Sequence, residues 1–392
     1  MKRFFLNKFL LFALISILSI GVLLSCFSQK DVMISYASNE VEISSASACL
    51  IDYASGEVLF EKNKDEKRPV ASMVKMMTIL LTLEDLENER ISLDDKLVTS
   101  EKASGMGGSQ VFIDPYAKYS IDDMLKSVIM ASANDASVAL AEYLNGSEEA
   151  FVKRMNKRAK ELGMKNTNYV NCTGLPAPEQ YSSAQDSAIL LSNVTKHDVY
   201  HKYSTIWMDK LVHSGDRETE LVNTNKLIRY YEGCDGGKTG STNEAGCCLS
   251  ATAKRGDMRL VSVIVGAENS KTRFNECSKL FNYGFANFEN KKLIDCEIML
   301  SEIPVAKGKK ALVKLYAQED FVALVKKGDA SKWTYNIELP KTIKAPVKQG
   351  DCVGKILVLK NSQVVKEISI VSKESVEKIS FIDGFKKIVE NW

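Results

Sequence analysis

The chain has 392 residues, a hydrophobic content of 45% and a charged content of 26%, which suits a globular protein of roughly two to three domains. Its net charge of +2 gives no electrostatic reason to expect a nucleic acid partner.

The first 37 residues have the pattern of an export signal. Met1-Lys2-Arg3 forms a basic start, residues 9–25 form an apolar run, and Ser35-Tyr36-Ala37 offers small residues for cleavage after Ala37. A retained membrane anchor and lipoprotein processing at Cys26 are the alternatives. All three interpretations predict an exported, extracytoplasmic protein.

Residues 45–288 combine a strand pair, a run of helices and a second strand pair, which predicts one α+β domain. Two short apolar runs on either side of Gly56 predict a hairpin. A helix that begins at Ser72 is apolar on nearly every side, so it should be buried. The predicted hairpin strands are 49–53 and 58–61, further helices are 121–131, 135–144, 148–162 and 272–285, and a second strand pair is 245–253 with 258–265.

The composition changes near residue 290. Residues 291–372 contain alternating runs, such as 311–316, 335–339 and 352–359, and these predict a small all-β domain. Residues 373–392 return to helical spacing, which predicts an amphipathic C-terminal helix with Phe385 and Trp392 on its apolar face.

Cysteine and histidine do not form a recognisable framework. Eight of the nine cysteines follow Ala37 without regular spacing, and we interpret them as small buried apolar groups. His197 and His201 stand four residues apart, but no glutamate of the His-Glu-x-x-His type lies between them. We therefore predict no metal site and no cofactor, and we interpret the three histidines as surface residues.

Three short motifs occur in one order, at intervals of 60 and 106 residues. They are Ser72-Met-Val-Lys75, Ser132-Ala-Asn134 and Lys238-Thr239-Gly240. Each motif alone is weak, because Ser375 to Lys378 and Ser241 to Asn243 repeat two of the patterns. Their order is typical of penicillin-binding proteins and β-lactamases, and it indicates a serine enzyme that transfers acyl groups.

The residue types fit that chemistry. A serine hydroxyl needs an adjacent base, and Lys75 lies about one helical turn after Ser72 on the same face. Burial and a second cation such as Lys238 would lower the lysine pKa enough for it to accept a proton. The alternatives are that Ser72 caps a helix, that Lys75 extends to solvent, and that Ser132 and Asn134 cap a helix at a junction.

A phosphate-binding loop is the rival interpretation of Lys238-Thr239-Gly240. Such a loop requires glycine at position 232, where this chain has Glu232, and it precedes a helix. A predicted strand pair follows here instead, so a nucleotide site is excluded.

With these motifs the chain resembles a low-molecular-mass penicillin-binding protein, a serine-type D-alanyl-D-alanine carboxypeptidase, from about Cys49 to the C-terminus. The resemblance implies a β-lactamase/transpeptidase-like domain that removes the terminal D-alanine from peptidoglycan stem pentapeptides. It also implies covalent inhibition by β-lactam antibiotics and attachment of the C-terminal helix to the outer face of the cytoplasmic membrane. The stretches that carry it are Leu50-Ile-Asp-Tyr-Ala-Ser-Gly56, Arg68-Pro-Val-Ala-Ser-Met-Val-Lys75, Ser132-Ala-Asn-Asp-Ala-Ser137 and Asp235-Gly-Gly-Lys-Thr-Gly-Ser-Thr242.

The same resemblance implies roles for individual residues. Ser72 would be the nucleophile, Lys75 the acylation base and Ser132 a proton relay, with the N–H groups of Ser72 and Ser241 as the oxyanion hole. Ala133 departs from the family, which usually has glycine there. A β-lactamase or penicillin-recognising esterase, and a catalytically silent peptidoglycan-binding scaffold, are the competing functions. The implied substrate contacts are Asn134, Lys238, Thr239, Gly240, Ser241 and Arg273.

Overall fold

The computed structural model describes residues 41–329 and 332–380. Its central element is a five-stranded antiparallel sheet of order β2-β1-β9-β8-β7. Both predicted strand pairs are confirmed, and the sheet joins them although more than 180 residues separate them in sequence. The strands are β1 (Ser47–Asp52), β2 (Val58–Lys62), β7 (Cys234–Thr242), β8 (Gly246–Arg255) and β9 (Met258–Ala267).

Helices cover both faces of this sheet, and polar caps define where several of them begin. Ser120, Ser147, Ser183 and Asn269 each accept a hydrogen bond from the backbone three residues further on, which satisfies a free N–H of the first turn. The helices are α1 (Lys75–Glu87), α2 (Glu101–Ser104), α3 (Ile121–Met130), α4 (Asn134–Asn145), α5 (Glu148–Glu161), α6 (Ala184–Val194), α7 (Asp198–Ser204), α8 (Leu227–Tyr230) and α9 (Ser270–Asn287).

The main hydrophobic core lies between the sheet and the helical layer. Alternate residues of β1 and β9, among them Cys49 and Val263, pack there with the small side chains of Ala184 and Ala188 on α6. Helix α1 is buried almost all round, as its sequence predicts. Two short ribbons lie outside this sheet: β3 (Lys96–Val98) with β4 (Lys118–Ser120), and β5 (Met208–Val212) with β6 (Glu218–Val222).

The C-terminal part is all-β, as predicted, and has a hydrophobic core of its own, which includes Ile294, Val313, Ile356 and Val376. A six-stranded sheet has the order β14-β16-β17-β12-β11-β15, and β10 pairs with β13 beside it. The strands are β10 (Phe288–Ile294), β11 (Met299–Ala306), β12 (Leu312–Ala317), β13 (Phe321–Lys326), β14 (Trp333–Glu338), β15 (Ile343–Lys344), β16 (Cys352–Lys360) and β17 (Gln363–Ser372).

The predicted C-terminal helix does not begin at residue 373. Residues 373–380 form no helix, because Val376 is buried in the β-domain core and its backbone pairs with Val347. The rest of that predicted helix, residues 381–392, and the predicted export signal lie outside the described residues. Among the described helices, none has the length and apolar content needed to span a membrane.

Candidate active site

Ser72 lies in a 3-10 turn, Ala71–Val74, immediately before α1. It is half-buried, and it is not the capping residue of α1, because Val74 holds that position and makes no side-chain cap bond. The capping interpretation of Ser72 is therefore wrong. Its hydroxyl is free to take part in other contacts.

Lys75 occupies the first turn of α1 and is completely buried. Its Nζ lies 3.0 Å from Ser72 Oγ and 2.5 Å from the carbonyl oxygen of Thr173. Burial lowers the pKa of Lys75 to about 7, because the charged form loses its hydration. The predicted serine–lysine contact is thus present, and the interpretation of Lys75 as a solvent-reaching residue is wrong.

The loop that carries Thr173 packs tightly against the serine turn. Asn171 Oδ1 accepts hydrogen bonds from the backbone nitrogens of Thr173 (3.2 Å) and Gly174 (2.7 Å), which folds the loop into a side-chain-closed turn. Gly174 has φ +80°, and a Cβ there would lie 2.1 Å from the Ala71 carbonyl oxygen. Glycine is therefore required for the loop to reach Lys75.

Strand β7 approaches the same turn from the other side. A Cβ at Gly240 would lie 2.5 Å from the carbonyl oxygen of Val70 and 3.0 Å from the nitrogen of Ser72. This glycine, predicted from the Lys-Thr-Gly motif, therefore allows the strand backbone to lie beside the backbone N–H of the serine. Thr239, also on β7, is 6% exposed.

Ser132 and Lys238 bring the second and third motifs together. Lys238 Nζ donates to Ser132 Oγ at 2.6 Å and to its neighbour Thr239's carbonyl at 3.1 Å. Lys238 is 1% exposed, and burial together with the nearby charges of Lys75 and Arg273 holds its pKa well below the ordinary value. Ser132 has φ +62°, an uncommon conformation for serine that often marks functional sites.

Asn134 begins α4 with its side chain turned away from helix capping. Its Nδ2 donates to the carbonyl of Gly107 at 2.6 Å, and no described group pairs with its buried Oδ1. The cap position belongs to Ala133, which makes no side-chain bond. The capping interpretation of Ser132 and Asn134 is therefore wrong, and Asn134 Oδ1 remains able to accept a further hydrogen bond.

Arg273 reaches β7 from α9. Its Nη1 donates to the Gly240 carbonyl (3.1 Å), Ser241 Oγ (2.9 Å) and the Cys248 carbonyl (3.3 Å). The side chain is 8% exposed and therefore lies inside the fold rather than on its surface. Ser241 is exposed at the end of β7, beside the half-buried thiol of Cys247 at 3.7 Å.

Two contributors to the site were not found in the sequence. One is the Thr173 carbonyl, for which only the turn pattern Asn171 to Gly174 is a signal. The other is Asp135, a fully buried carboxylate that accepts from the nitrogens of Val111 (3.0 Å) and Ile113 (3.3 Å). It holds the loop that carries Gly107 against Asn134, and its position directly after the Ser-Ala-Asn motif is the only sequence clue.

The histidines and acidic groups that the structure describes lie as follows. His213 is buried, not on the surface as predicted, because its ring bonds both Tyr119 Oη and Thr219 Oγ1 at 2.8 Å. Within residues 41–329 and 332–380, the cluster with metal-ligand geometry is Asp295, Cys296 and Asp320 in the β domain. The ammonium group of Lys292 pairs with both carboxylates of this cluster, with Asp295 at 2.7 Å and with Asp320 at 3.0 Å.

The chain is similar to known proteins over most of its length. Residues 34–269 match the D-alanyl-D-alanine carboxypeptidase family, and residues 288–378 match the C-terminal domain of penicillin-binding protein 5. The chain is 40% identical over 385 residues to D-alanyl-D-alanine carboxypeptidase DacF of Bacillus subtilis, covering 97% of this chain and 98% of that one. DacC of Escherichia coli is 37% identical over 341 residues, with 85% and 84% covered. Penicillin-binding protein 5 of Haemophilus influenzae matches in structure with a TM-score of 0.71 at 33% identity, covering 86% of this chain and 98% of that one.

The fold and these similarities define a penicillin-binding serine hydrolase with an added β domain. More narrowly, the chain belongs to the D-alanyl-D-alanine carboxypeptidase family.

Proposed function

We propose that Ser72 carries the carboxypeptidase reaction on peptidoglycan stem pentapeptides, through an acyl-enzyme. The observation that supports this most directly is the 3.0 Å contact between Ser72 Oγ and the buried amine of Lys75. Ser72 Oγ attacks the carbonyl carbon of the penultimate D-alanine while neutral Lys75 takes the hydroxyl proton. The N–H groups of Ser72 and Ser241 stabilise the negative charge that develops on the carbonyl oxygen.

The leaving D-alanine needs a proton on its amine when the peptide bond breaks. In our proposal Ser132 relays to this amine the proton that Lys75 took from Ser72, and the amino group of Lys238, which donates to Ser132 Oγ at 2.6 Å, holds that hydroxyl in position. Asn134 Oδ1 accepts the amide N–H of the substrate. Water then attacks the ester on Ser72, which releases the shortened peptide and restores the hydroxyl.

Positive charge around β7 supports recognition of the terminal carboxylate. Thr239 and Ser241 provide hydroxyl groups, while Gly240 lets the strand approach the substrate backbone. Arg273 already bonds three acceptors through Nη1, so we propose that it holds Ser241 in place and supplies charge to the carboxylate site.

Acylation is expected to depend on pH through Lys75. Only the neutral amine accepts the serine proton, and the folded-state pKa is about 7, so the neutral fraction falls about tenfold for each pH unit below that value. The rate of labelling by a fluorescent penicillin, measured from pH 5 to 9, should rise to near pH 7 and then level. A rate that is independent of pH over this range would contradict the role of Lys75.

Release of D-alanine from diacetyl-L-Lys-D-Ala-D-Ala tests the function itself. The full protein should release D-alanine, and its penicillin adduct should last many minutes. Rapid loss of the label with hydrolysed penicillin would indicate a β-lactamase or esterase. A protein that binds peptidoglycan but neither releases D-alanine nor takes up the label would be a silent scaffold.

We also propose that the enzyme works outside the cytoplasm and is peripherally attached to the outer face of the membrane by its C-terminal segment. The basic and apolar residues before Ala37 support export, and the apolar pattern that includes Phe385 and Trp392 supports attachment. Loss of membrane association on deletion of residues 381–392 would be the expected result.

A further inference from the structure

A cluster of two aromatic rings and a guanidinium group lies on the surface of the larger domain. We call Trp207, Arg229 and Tyr230 the aromatic platform. The two rings meet edge to face with centroids 6.3 Å apart, and the Arg229 guanidinium lies 5.2 Å from the Trp207 ring centre and 5.8 Å from that of Tyr230. Tyr230 is nevertheless 71% exposed. The contacts therefore fix the platform while most of the tyrosine surface faces water.

The aromatic platform is not what attaches helix α8 to the domain. Helix α8 is anchored by Leu227, which is 4% exposed, and Tyr230 points away from that anchor. The apolar surface continues onto the adjacent ribbon, where Met208 and Val222 pair across β5 and β6 and are 51% and 40% exposed. Trp, Tyr and Arg dominate the energetics of binding surfaces, so the grouping of exposed Arg229 and Tyr230 with half-buried Trp207 indicates a binding site.

Hydrogen bonds join the platform rigidly to the candidate active site. The nitrogen of Thr224 donates to the Met130 carbonyl at 3.1 Å, two residues before Ser132. Asn225 Nδ2 donates to the Gly236 carbonyl at 3.0 Å, two residues before Lys238. The chain segment between β6 and α8 thus connects the platform to the two parts of the site that carry Ser132 and Lys238.

We propose that the aromatic platform binds the glycan strand of peptidoglycan while the stem peptide occupies the active site. This inference rests on the proposed function, because a stem peptide in the site brings its glycan to the nearby surface. Pyranose rings have apolar C–H faces and hydroxyl rims, which match the apolar body and polar tip of tyrosine and tryptophan.

Charge supports the same occupant. Arg229 and Lys226 are exposed, and within residues 41–329 and 332–380 neither makes an ion pair. Both can therefore interact with the carboxylates that peptidoglycan carries near its sugars. A lipid surface fits less well, because the outward face of the adjacent ribbon is no basic patch: it carries Glu218, Glu220 and Lys210, and Lys210 pairs with Glu218 at 2.6 Å.

The test compares two substrates in the full protein. For Tyr230→Ala and Arg229→Gln we expect kcat/KM for uncrosslinked glycan strands with pentapeptides to fall about five- to tenfold, as for the loss of one binding side chain. The value for diacetyl-L-Lys-D-Ala-D-Ala should stay within about twofold. Tyr335→Ala is the matched control, since Tyr335 is 43% exposed in the β domain. Equal losses on both substrates, or none on the glycan, would overturn the proposal.

A binding measurement separates this proposal from the catalytic one. Peptide-free glycan strands should be retained by the wild-type protein and several-fold less by Tyr230→Ala, whether or not D-alanine is released. A wild-type protein inactive on both substrates would refute the proposed function alone. If Tyr230→Ala instead abolished self-association or binding to anionic vesicles and left glycan binding intact, the platform would belong to a dimer or a membrane contact, and the glycan assignment would fall.

Discussion

Replacement of Ser72 by alanine is expected to reduce D-alanine release by a factor of about 10⁴ or more and to abolish covalent labelling by penicillin. The alanine side chain has no oxygen to form the ester, while the neighbouring contacts of Lys75 with Thr173 remain. Enzymatic release and labelling of the purified variant measure both effects. Non-covalent penicillin binding should persist, because the substitution does not alter the carboxylate site that we propose on β7.

Ser375→Ala is the matched control for this experiment. Ser375 begins the second Ser-x-x-Lys sequence of the chain, but it is exposed in the β domain, where its Oγ accepts a hydrogen bond from the Gln349 nitrogen at 3.0 Å. That variant should keep full activity and labelling. Stable penicillin labelling of Ser72→Ala would show that another residue is the nucleophile.

Replacement of Lys75 by methionine is expected to slow acylation by a factor of about 10² to 10⁴, the usual contribution of a general base. Methionine keeps most of the apolar stem of lysine and removes the amine that lies 3.0 Å from Ser72. The labelling rate measures this loss. Lys378→Met serves as control, because Lys378 is the exposed lysine of the second Ser-x-x-Lys sequence.

The Lys75→Met variant should be less active than the wild-type protein but more stable at pH 7. The pKa of Lys75 is about 7 when folded and near its ordinary value of 10.5 when unfolded, so between these values the unfolded chain binds more protons. The free energy of unfolding therefore increases as the pH rises from 7 to 10.5. At and below pH 7 the buried lysine destabilises the folded state most. Lys75→Met should therefore raise the melting temperature at pH 7. A variant that is both inactive and unfolded would not support the role of a base.

Local patterns in the sequence predicted most of the individual elements but not how they meet. The apolar faces of α1 and α3 and the runs around Gly56 are local signals, and the structure confirms them within a few residues. The pairing of β1 with β9 joins Cys49 to Val263, and no local pattern specifies a contact over that separation.

In the candidate site, the sequence predicted the main side chains that take part but missed a backbone group. The motifs identified Ser72, Lys75, Ser132 and Lys238, whose side chains carry recognisable chemistry. The Thr173 carbonyl was missed, because every residue has a carbonyl and only the folded loop selects this one. The start of the C-terminal helix was wrong for a related reason: helical spacing at 373–380 was overridden by tertiary pairing with the β domain.

The two glycines that enclose the serine turn limit how this enzyme can evolve. Any side chain at Gly174 or Gly240 collides with backbone atoms of residues 70–72, and a backbone cannot move aside as a flexible side chain can. Mutations that reduce sensitivity to a β-lactam while keeping the natural reaction must therefore arise elsewhere. Gly107 and the side chain of Ser241 remain open to such change, since a Cβ at Gly107 would meet no atom within 4 Å and Ser241 is exposed. We therefore expect resistance substitutions at the exposed edge of the site, and not in the turn that carries Ser72.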